Sequence, residues 1–340
     1  MKTLSLKTTK IANMFQQLHQ NFGGQLHRES TEYELDLDNG LGQGLIKGFA
    51  FKGGVSFVEF DMTFSENFRV SWNTQHSSPF YFAYCSQGQI EHRFESEEER
   101  RTLQNFQTGI LFCKPSEANI LYFEKGRRLK ASLIVINATG AQTDHGTNHL
   151  YHNLRKSFFS DRNSESFAYV GSYNLQIAEK IQQLRFISHQ GIAKNLLVEG
   201  TVHMILGLEI QQQRDDLHNN RNTNGSLTGE EMERVKELSE FITHYAETDL
   251  PIKKLSRKSG LSPSKLQEGF KLMHGRTVTD HIREVRIQKS EQLIKNTDMN
   301  ISEIVYSIGF TSRSYFSKIF KNKYNCSPKI YRKGNRMAAS

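Results

Sequence analysis

Two short runs near the C-terminal end share one spacing: GLSPSKLQEGFK (Gly260 to Lys271) and GFTSRSYFSKIFK (Gly309 to Lys321). Each begins with a glycine and has a serine able to cap a helix N-terminus (Ser262, Ser312). Each then has an apolar pair four residues apart, Leu266/Phe270 and Phe316/Phe320. A short apolar-periodic segment precedes each run, with Ile252 and Leu255 before the first and Ile301, Ile304 and Val305 before the second. The order implied is helix, tight turn, helix. With Leu266, Phe270 and Met273 turned to a core, Ser264, Lys265, Gln267, Glu268 and Lys271 remain for a partner. Alignment of the second run on the first leaves Arg313, Ser314, Tyr315, Ser317, Lys318 and Lys321. These side chains match base-pair edges: arginine and lysine donate to guanine, glutamine pairs with adenine, glutamate accepts from cytosine, and serine adapts. Two helical hairpins with merely polar faces would place their apolar residues similarly. They would not require two serine-capped basic helices in register. The expected chemistry is hydrogen bonding to duplex DNA, with one helix in each of two major grooves.

Several elements must hold these helices. Pro263 at a first helical position sacrifices no hydrogen bond. Thr228 to Glu231 has the pattern of a capping box and opens a helix with an apolar stripe of Val235, Leu238, Ile242 and Tyr245. Between the two motifs, Thr277 to Lys295 reads as a long helix with Val278, Ile282, Val285 and Leu293 inward, fixing the separation of the heads. Ser327-Pro328 starts a last short helix that carries Arg332. Lys321 and Arg332 are assigned to backbone phosphates. From Gly334 to the end a disordered tail (334–340) is expected. The asparagine-rich run His218 to Ser226 marks a linker (218–227) between a sensor and dimerisation domain at 1–217 and a DNA-binding domain at 228–333.

Before the linker the pattern is different. Residues 1–20 read as a short helix or a loose arm. From about 31 to 137, runs such as TEYELDLD, VSFVEFDMTF, FRVSWNT, PFYFAYCSQGQIEHRF, GILFCK and LKASLIVIN alternate partially and are broken by Gly, Asn and Pro. They predict an antiparallel sandwich or barrel. After Asn137, from about 150 to 217, the periodicity turns helical, with Ile177, Ile181 and Leu184, then Leu197/Val198, Val202, Ile205 and Leu208. That second helix is apolar on more than one face, which suits either a second subunit or its own sheet.

Charge is placed unevenly. The chain has 44 Lys+Arg and 36 Asp+Glu. From Glu230 onward there are 21 and 13, so residues 1–229 are neutral; from Thr248 onward there are 19 and 7, a net of +12. A solvated basic surface would need no partner, but together with the paired motifs the basic end fits nucleic acid. Cys85, Cys113 and Cys326 are too scattered for a disulfide framework or a thiolate zinc site, which fits a reducing cytosol. The N-terminus lacks the apolar core of a signal peptide, and no run approaches the length of a membrane span. A soluble, cytoplasmic protein with no membrane partner is expected.

At the paired motifs the chain resembles the AraC/XylS family of bacterial transcription regulators. The resemblance covers about Glu230 to Lys333 and is most specific in NISEIVYSIGFTSRSYFSKIFKNKYNCSPKIYRK, from Asn300. There Ile301, Ile304, Gly309, Phe310, Tyr315, Phe316, Phe320, Lys321, Pro328, Tyr331 and Arg332 fall on the family's signature positions. The resemblance implies two helix-turn-helix units entering successive major grooves. By it, Ser264, Gln267 and Glu268 face bases in the first head and Ser314, Ser317 and Lys318 in the second. The sequence departs from the family pattern at Gly269, inside the first recognition helix, at Glu268, where many members have a basic residue, and at Ser256 and Ser290, where small apolar residues are common. LQEGFKLMHGRTV has a fainter likeness, to the family's siderophore-responsive branch.

The region PFYFAYCSQGQIEHRF to TGILFCKPSEANILYF looks like the cupin-type β-barrel of such regulators. The fold expected is therefore α+β multidomain, an antiparallel cupin-like barrel with a helical dimerisation segment followed by an all-α domain. An effector pocket in it would use Phe57, Phe60, Trp72, Phe80, Tyr81, Phe82 and Tyr84, which are equally suited to a core. His76 and His92 stand alone, and His145, His149 and His152 sit in a loop-like run, so no metal site, cofactor or catalytic residue is expected. The partners implied are double-stranded operator DNA, a small-molecule effector, RNA polymerase and a second copy of the chain. The function implied is a ligand-responsive activator. An effector-independent architectural DNA binder, or a cupin enzyme with an accessory helical domain, are the rival readings.

Overall fold

The alternating runs of the first part build two β-sheets around one core. The computed structural model describes residues 2–8, 10–74, 78–115, 117–138, 149–159, 165–187, 191–219 and 227–338. It divides into two units, Met1–Gly225 and Ser226–Ser340. The first unit runs β1 (Lys2–Leu6), α1 (Ile11–Phe22), β2 (Gln25–Glu29), β3 (Glu32–Asn39), β4 (Gly42–Ala50), β5 (Val55–Phe64), β6 (Phe68–Asn73), β7 (Phe80–Gln87) and β8 (Ile90–Phe94). It continues with β9 (Arg101–Leu103), β10 (Gln107–Phe112), β11 (Ala118–Phe123), β12 (Arg128–Ile136), α2 (His149–Phe158), β13 (Phe167–Tyr173), α3 (Leu175–Arg185) and α4 (Gly191–Asn219).

One sheet has five strands in the order β1-β6-β11-β8-β9, the other eight in the order β13-β10-β7-β12-β5-β4-β3-β2. Among the described residues no ladder joins the two sheets, so the barrel expected from sequence is not closed. The architecture is two open sheets. Between them Leu4, Leu35, Ile46, Val58, Trp72 and Leu133 are buried, and α1 adds Met14, Phe15 and Leu18 to the same core.

Strand β7 shows why alternation was only partial. Tyr81, Ala83 and Cys85 join the inter-sheet core. Phe80 and Phe82 lie on the opposite face, against Phe112, Tyr151 and Phe158. A strand covered on both faces reads as a continuous apolar run. Strands β1, β2, β4, β9 and β13 were not anticipated. Three glycines hide the pattern of β4, and β13 lies in the stretch expected to be helical, where it pairs with β10. Of the histidines considered, His149 and His152 are exposed on α2, while His76 and His145 lie outside the described residues.

The second unit is helical: α5 (Gly229–His244), α6 (Ile252–Ser259), α7 (Pro263–His274), α8 (Val278–Asn296), α9 (Ile301–Ser307), α10 (Arg313–Tyr324) and α11 (Pro328–Ala338). The Thr228/Glu231 capping box is formed, and a second one, Asn300/Glu303, opens α9. Val235, Leu238 and Ile242 are buried as the stripe requires, but Tyr245 is 50% exposed. Tyr245 caps the end of α5 with non-helical backbone angles, which takes its side chain off the stripe. Helix α11 carries the backbone of residues 334–338, where a disordered tail was expected. The three cysteines are free, Cys85 and Cys113 buried. Among the described residues, no helix is long and apolar enough to cross a membrane.

Candidate nucleic-acid interface

Helices α6 and α7 form the first helix-turn-helix, and α9 and α10 the second. Ser262 Oγ accepts from the Lys265 amide and Ser312 Oγ from the Tyr315 amide, each at 3.3 Å. Each cap satisfies an amide that a helix N-terminus leaves open. On α7, Leu266, Phe270 and Met273 are buried. Ser264, Gln267, Glu268 and Lys271 then share one face at helical spacing. Ser264 and Lys271 are exposed, whereas Gln267 and Glu268 are half-buried. On α10, Phe316 and Phe320 are buried and Arg313, Ser314, Tyr315, Lys318 and Lys321 are exposed, with Ser317 half-buried.

The two faces are not equally free. Lys265 Nζ lies 2.6 Å from Glu231 Oε1, so this lysine is engaged with the capping box of α5. Gln267 Oε1 accepts from the Val278 amide at 3.2 Å. A bidentate adenine contact needs both the oxygen and the NH2 of a glutamine, and as placed Gln267 offers only the NH2. On α10, Arg313, Lys318 and Lys321 make no ion pair among the described residues. The guanidinium of Arg283 lies 5.8 Å over the Tyr315 ring, which also meets Phe310 edge-on. Arg332, assigned to phosphate, is half-buried, and its Nε and Nη2 are buried with no acceptor among the described residues.

The departures at serine and glycine have local causes. Ser256 Oγ donates to the Leu261 carbonyl across the first turn, and Ser290, fully buried, donates to the Ile287 carbonyl at 2.6 Å. Gly269 is where α7 meets α5: a Cβ built there would stand 2.6 Å from Val235 Cγ2. Gly309, in the second turn, has φ +84°, and a Cβ would lie 2.5 Å from the Glu247 carbonyl oxygen.

Two features of this unit escaped the sequence reading. Arg286 on α8 donates to three backbone carbonyls: Nε to Ala246 (2.7 Å), Nη1 to Gly309 (2.8 Å) and Nη2 to Thr248 (2.9 Å). It ties the end of α5 and the turn of the second motif to the helix between the heads. Its signal was a cation four residues after the buried Ile282, on the inward face of α8. The second feature is a histidine pair. His274 of α7 and His281 of α8 stack at 4.0 Å, and their Nε2 atoms lie 2.9 and 3.2 Å from Ser239 Oγ on α5. Burial holds both rings neutral, with pKa values lowered to about 3 and about 4; the neighbouring His281 and Arg276 push His274 the same way, and Arg276 does so for His281.

The first unit contains an interior cavity of about 80 Å³ between its sheets. Of the seven aromatics considered for a pocket, Phe60, Trp72 and Tyr81 line it. Phe80 and Phe82 instead pack on the far face of β7. Tyr84, beside them in sequence, donates its hydroxyl to the Asn174 carbonyl. Tyr169 on β13 also lines the cavity, and its hydroxyl donates to Asp216 on α4. Asp216 further accepts from the Ser172 amide (2.9 Å) and hydroxyl (2.7 Å). Among the described residues no group of three or more His, Cys, Asp or Glu side chains could hold a metal ion.

Residues 255–334 match a family model described as a helix-turn-helix domain. The chain is 29% identical over 139 residues to the HTH-type transcriptional regulator MtrA of Neisseria gonorrhoeae, covering 41% of this chain and 44% of that protein. It is 31% identical over 102 residues to the arabinose operon regulatory protein of Escherichia coli (strain K12), covering 30% and 35%. These matches thus span less than half of either relative. A solved structure, the C-terminal domain of the response regulator AraT from Geobacillus stearothermophilus, is 25% identical, with 30% of this chain and 84% of that one covered and a TM-score of 0.29.

Proposed function

Starting from a C-terminal AraC-type helix-turn-helix domain, we propose that this chain is a sequence-specific transcription regulator, not an enzyme. Helices α7 and α10 read two successive major grooves, and the first unit reports a small-molecule effector. The observation that carries the reading is the matched pair of serine-capped helices, each with its apolar side buried and a polar, largely exposed side presented at the same spacing. Ser264, Gln267 and Glu268, with Lys271, supply the first face; Ser314, Ser317 and Lys318, with Arg313, supply the second. Lys321 contacts phosphate. Arg332 reaches phosphate only if its buried nitrogens turn outward. Lys265 supports α7 rather than reading bases, because Glu231 already holds it.

The same proposal includes ligand response, activation through RNA polymerase, and pairing of two copies. The cavity and the Tyr169–Asp216 bond support the first, since they link its wall to α4. Pairing is supported by Ile192, Leu196, Met204 and Leu217, which α4 leaves 49–79% exposed. A second copy covering that side would remove them from water. A cytoplasmic location follows from binding operator DNA.

The test is selection of bound sequences from a random duplex pool by the full chain. The expected product has two conserved blocks about one helical turn apart. Its affinity falls steeply with salt, because the basic unit displaces counterions from phosphates. Recovery of a single block, or a flat salt dependence, would overturn the two-groove reading.

A further inference from the structure

We infer that the inter-sheet cavity of the first unit takes an uncharged, mainly apolar molecule with a single hydroxyl or N–H donor, which bonds to His92 Nδ1. The inference rests on the proposal that this unit senses a small molecule. The wall is built from Phe60, Trp72, Ala83, Leu121, Leu133 and Val170. A second void of about 30 Å³ beneath α1 shares Phe60, Trp72 and Leu121 with it, so the apolar space extends toward that helix. Larger apolar cavities, of about 150 Å³, stay dry and accept small aromatic molecules, and the adjoining void adds to the space available here.

The polar groups on the wall narrow the choice. Arg101 is already held by Glu97, through Nη1 at 2.6 Å and Nη2 at 2.5 Å. It leaves no spare cation for a carboxylate. The Tyr169 hydroxyl is already engaged as a hydrogen-bond donor to Asp216. His92 is 5% exposed, and its Nε2 lies 3.0 Å from Asn119 Oδ1. With an oxygen opposite, Nε2 carries the hydrogen and donates. Burial keeps the ring neutral, its pKa lowered to about 4. Nδ1 is then a bare acceptor, buried and without a donor among the described residues. A buried acceptor without a partner is costly, and a ligand donor would satisfy it. A sugar would bury many polar groups against apolar walls. An ion would lack a counter-charge.

The experiment uses the full chain, with calorimetry and thermal unfolding in the presence of p-cresol, toluene, glucose or benzoate. We expect p-cresol to raise the melting temperature and to bind about tenfold more tightly than toluene, the ratio expected for one hydrogen bond. Glucose and benzoate should do neither. His92→Phe should bring the p-cresol to toluene ratio to about one. Ala83→Phe, which fills the cavity and leaves His92 in place, should abolish binding of both. Equal binding of p-cresol and toluene by the unaltered chain would overturn the proposal. So would binding of glucose or benzoate, unchanged p-cresol affinity in Ala83→Phe, or a p-cresol preference that survives His92→Phe. Gel shifts on the selected duplex separate this from the broader reading. Saturating p-cresol that leaves DNA affinity unchanged supports the ligand class and sinks ligand response. A DNA affinity that responds to glucose or benzoate does the reverse.

Discussion

Gly269 sits inside α7, where glycine is intrinsically unfavourable, yet the packing demands it. Helix α5 approaches so closely that an alanine Cβ would press on Val235 at 2.6 Å. Gly269→Ala is therefore expected to destabilise the second unit by about 1–3 kcal/mol, the usual cost of overpacking, despite alanine's better helix propensity. Thermal melts of the variant check this; a stabilised variant would mean that α5 yields easily. The histidine pair gives a pH prediction at the same scale. Both rings have folded-state pKa values depressed from 6.5, so the stability they contribute is complete above about 6.5 and is lost as the pH falls toward 4. The carboxylates of half-buried Glu231 and exposed Glu247 have pKa values lowered from 4.5, Glu231 chiefly by Lys265 and Glu247 chiefly by a backbone hydrogen bond, so their loss begins lower. Melting temperature should thus drop between pH 6.5 and 4.5, and His281→Phe should flatten that drop; an unchanged slope would remove the pair from the account. Most of the candidate interface was legible residue by residue, because burial of Leu266, Phe270, Phe316 and Phe320 dictates which side chains turn outward. What spacing could not show is that Lys265 and Gln267 are held by Glu231 and Val278. Those partners are brought near by the fold rather than by the helix itself.

Helix α8 is the element on which a fixed spacing of the heads depends. It carries Arg286, whose three carbonyl partners belong to the segment after α5 and to the turn between α9 and α10. Burial lowers the pKa of this guanidinium, with Asp249 and Glu247 opposing that shift. Losing it would leave those carbonyls without their donor and loosen the second motif against α8. Arg286→Lys, which keeps the charge but cannot reach three carbonyls, should bind duplexes with the half-sites moved by one base pair nearly as well as the selected spacing. The unaltered chain should reject them. If Arg286→Lys lost affinity yet kept its preference for spacing, the joint would lie elsewhere. Helices of the second unit were legible because caps, glycine turns and apolar stripes all pointed to the same boundaries. The sheets were less so: β7 and its neighbours bury both faces and erase alternation, while β1 and β13 are strands only because a partner strand offers its edge. The barrel expectation failed for a related reason, since closure depends on pairing between edges and alternation is silent about it.

For the whole molecule, a neutral two-sheet unit with a small apolar cavity precedes a basic helical unit that carries the two serine-capped helices. Chain order and charge make that division visible in the sequence alone, as a polar asparagine-rich stretch between a strand-patterned and a helix-patterned half. The ligand chemistry is not visible there, because His92, Asn119 and Arg101 converge on the cavity only through the pairing of β8 with β9 and β11. Helices α7 and α10, as proposed above, read separate DNA segments. The most direct test compares base preferences of the full chain with those of Ser264→Ala and Lys318→Ala on every single-base variant of the selected duplex. Lys318→Ala should lose about 1–3 kcal/mol of discrimination at a base pair in one half-site, Ser264→Ala should alter preference only in the other, and the two half-sites should lie about one helical turn apart. Changes from both substitutions at the same base pairs would contradict this reading.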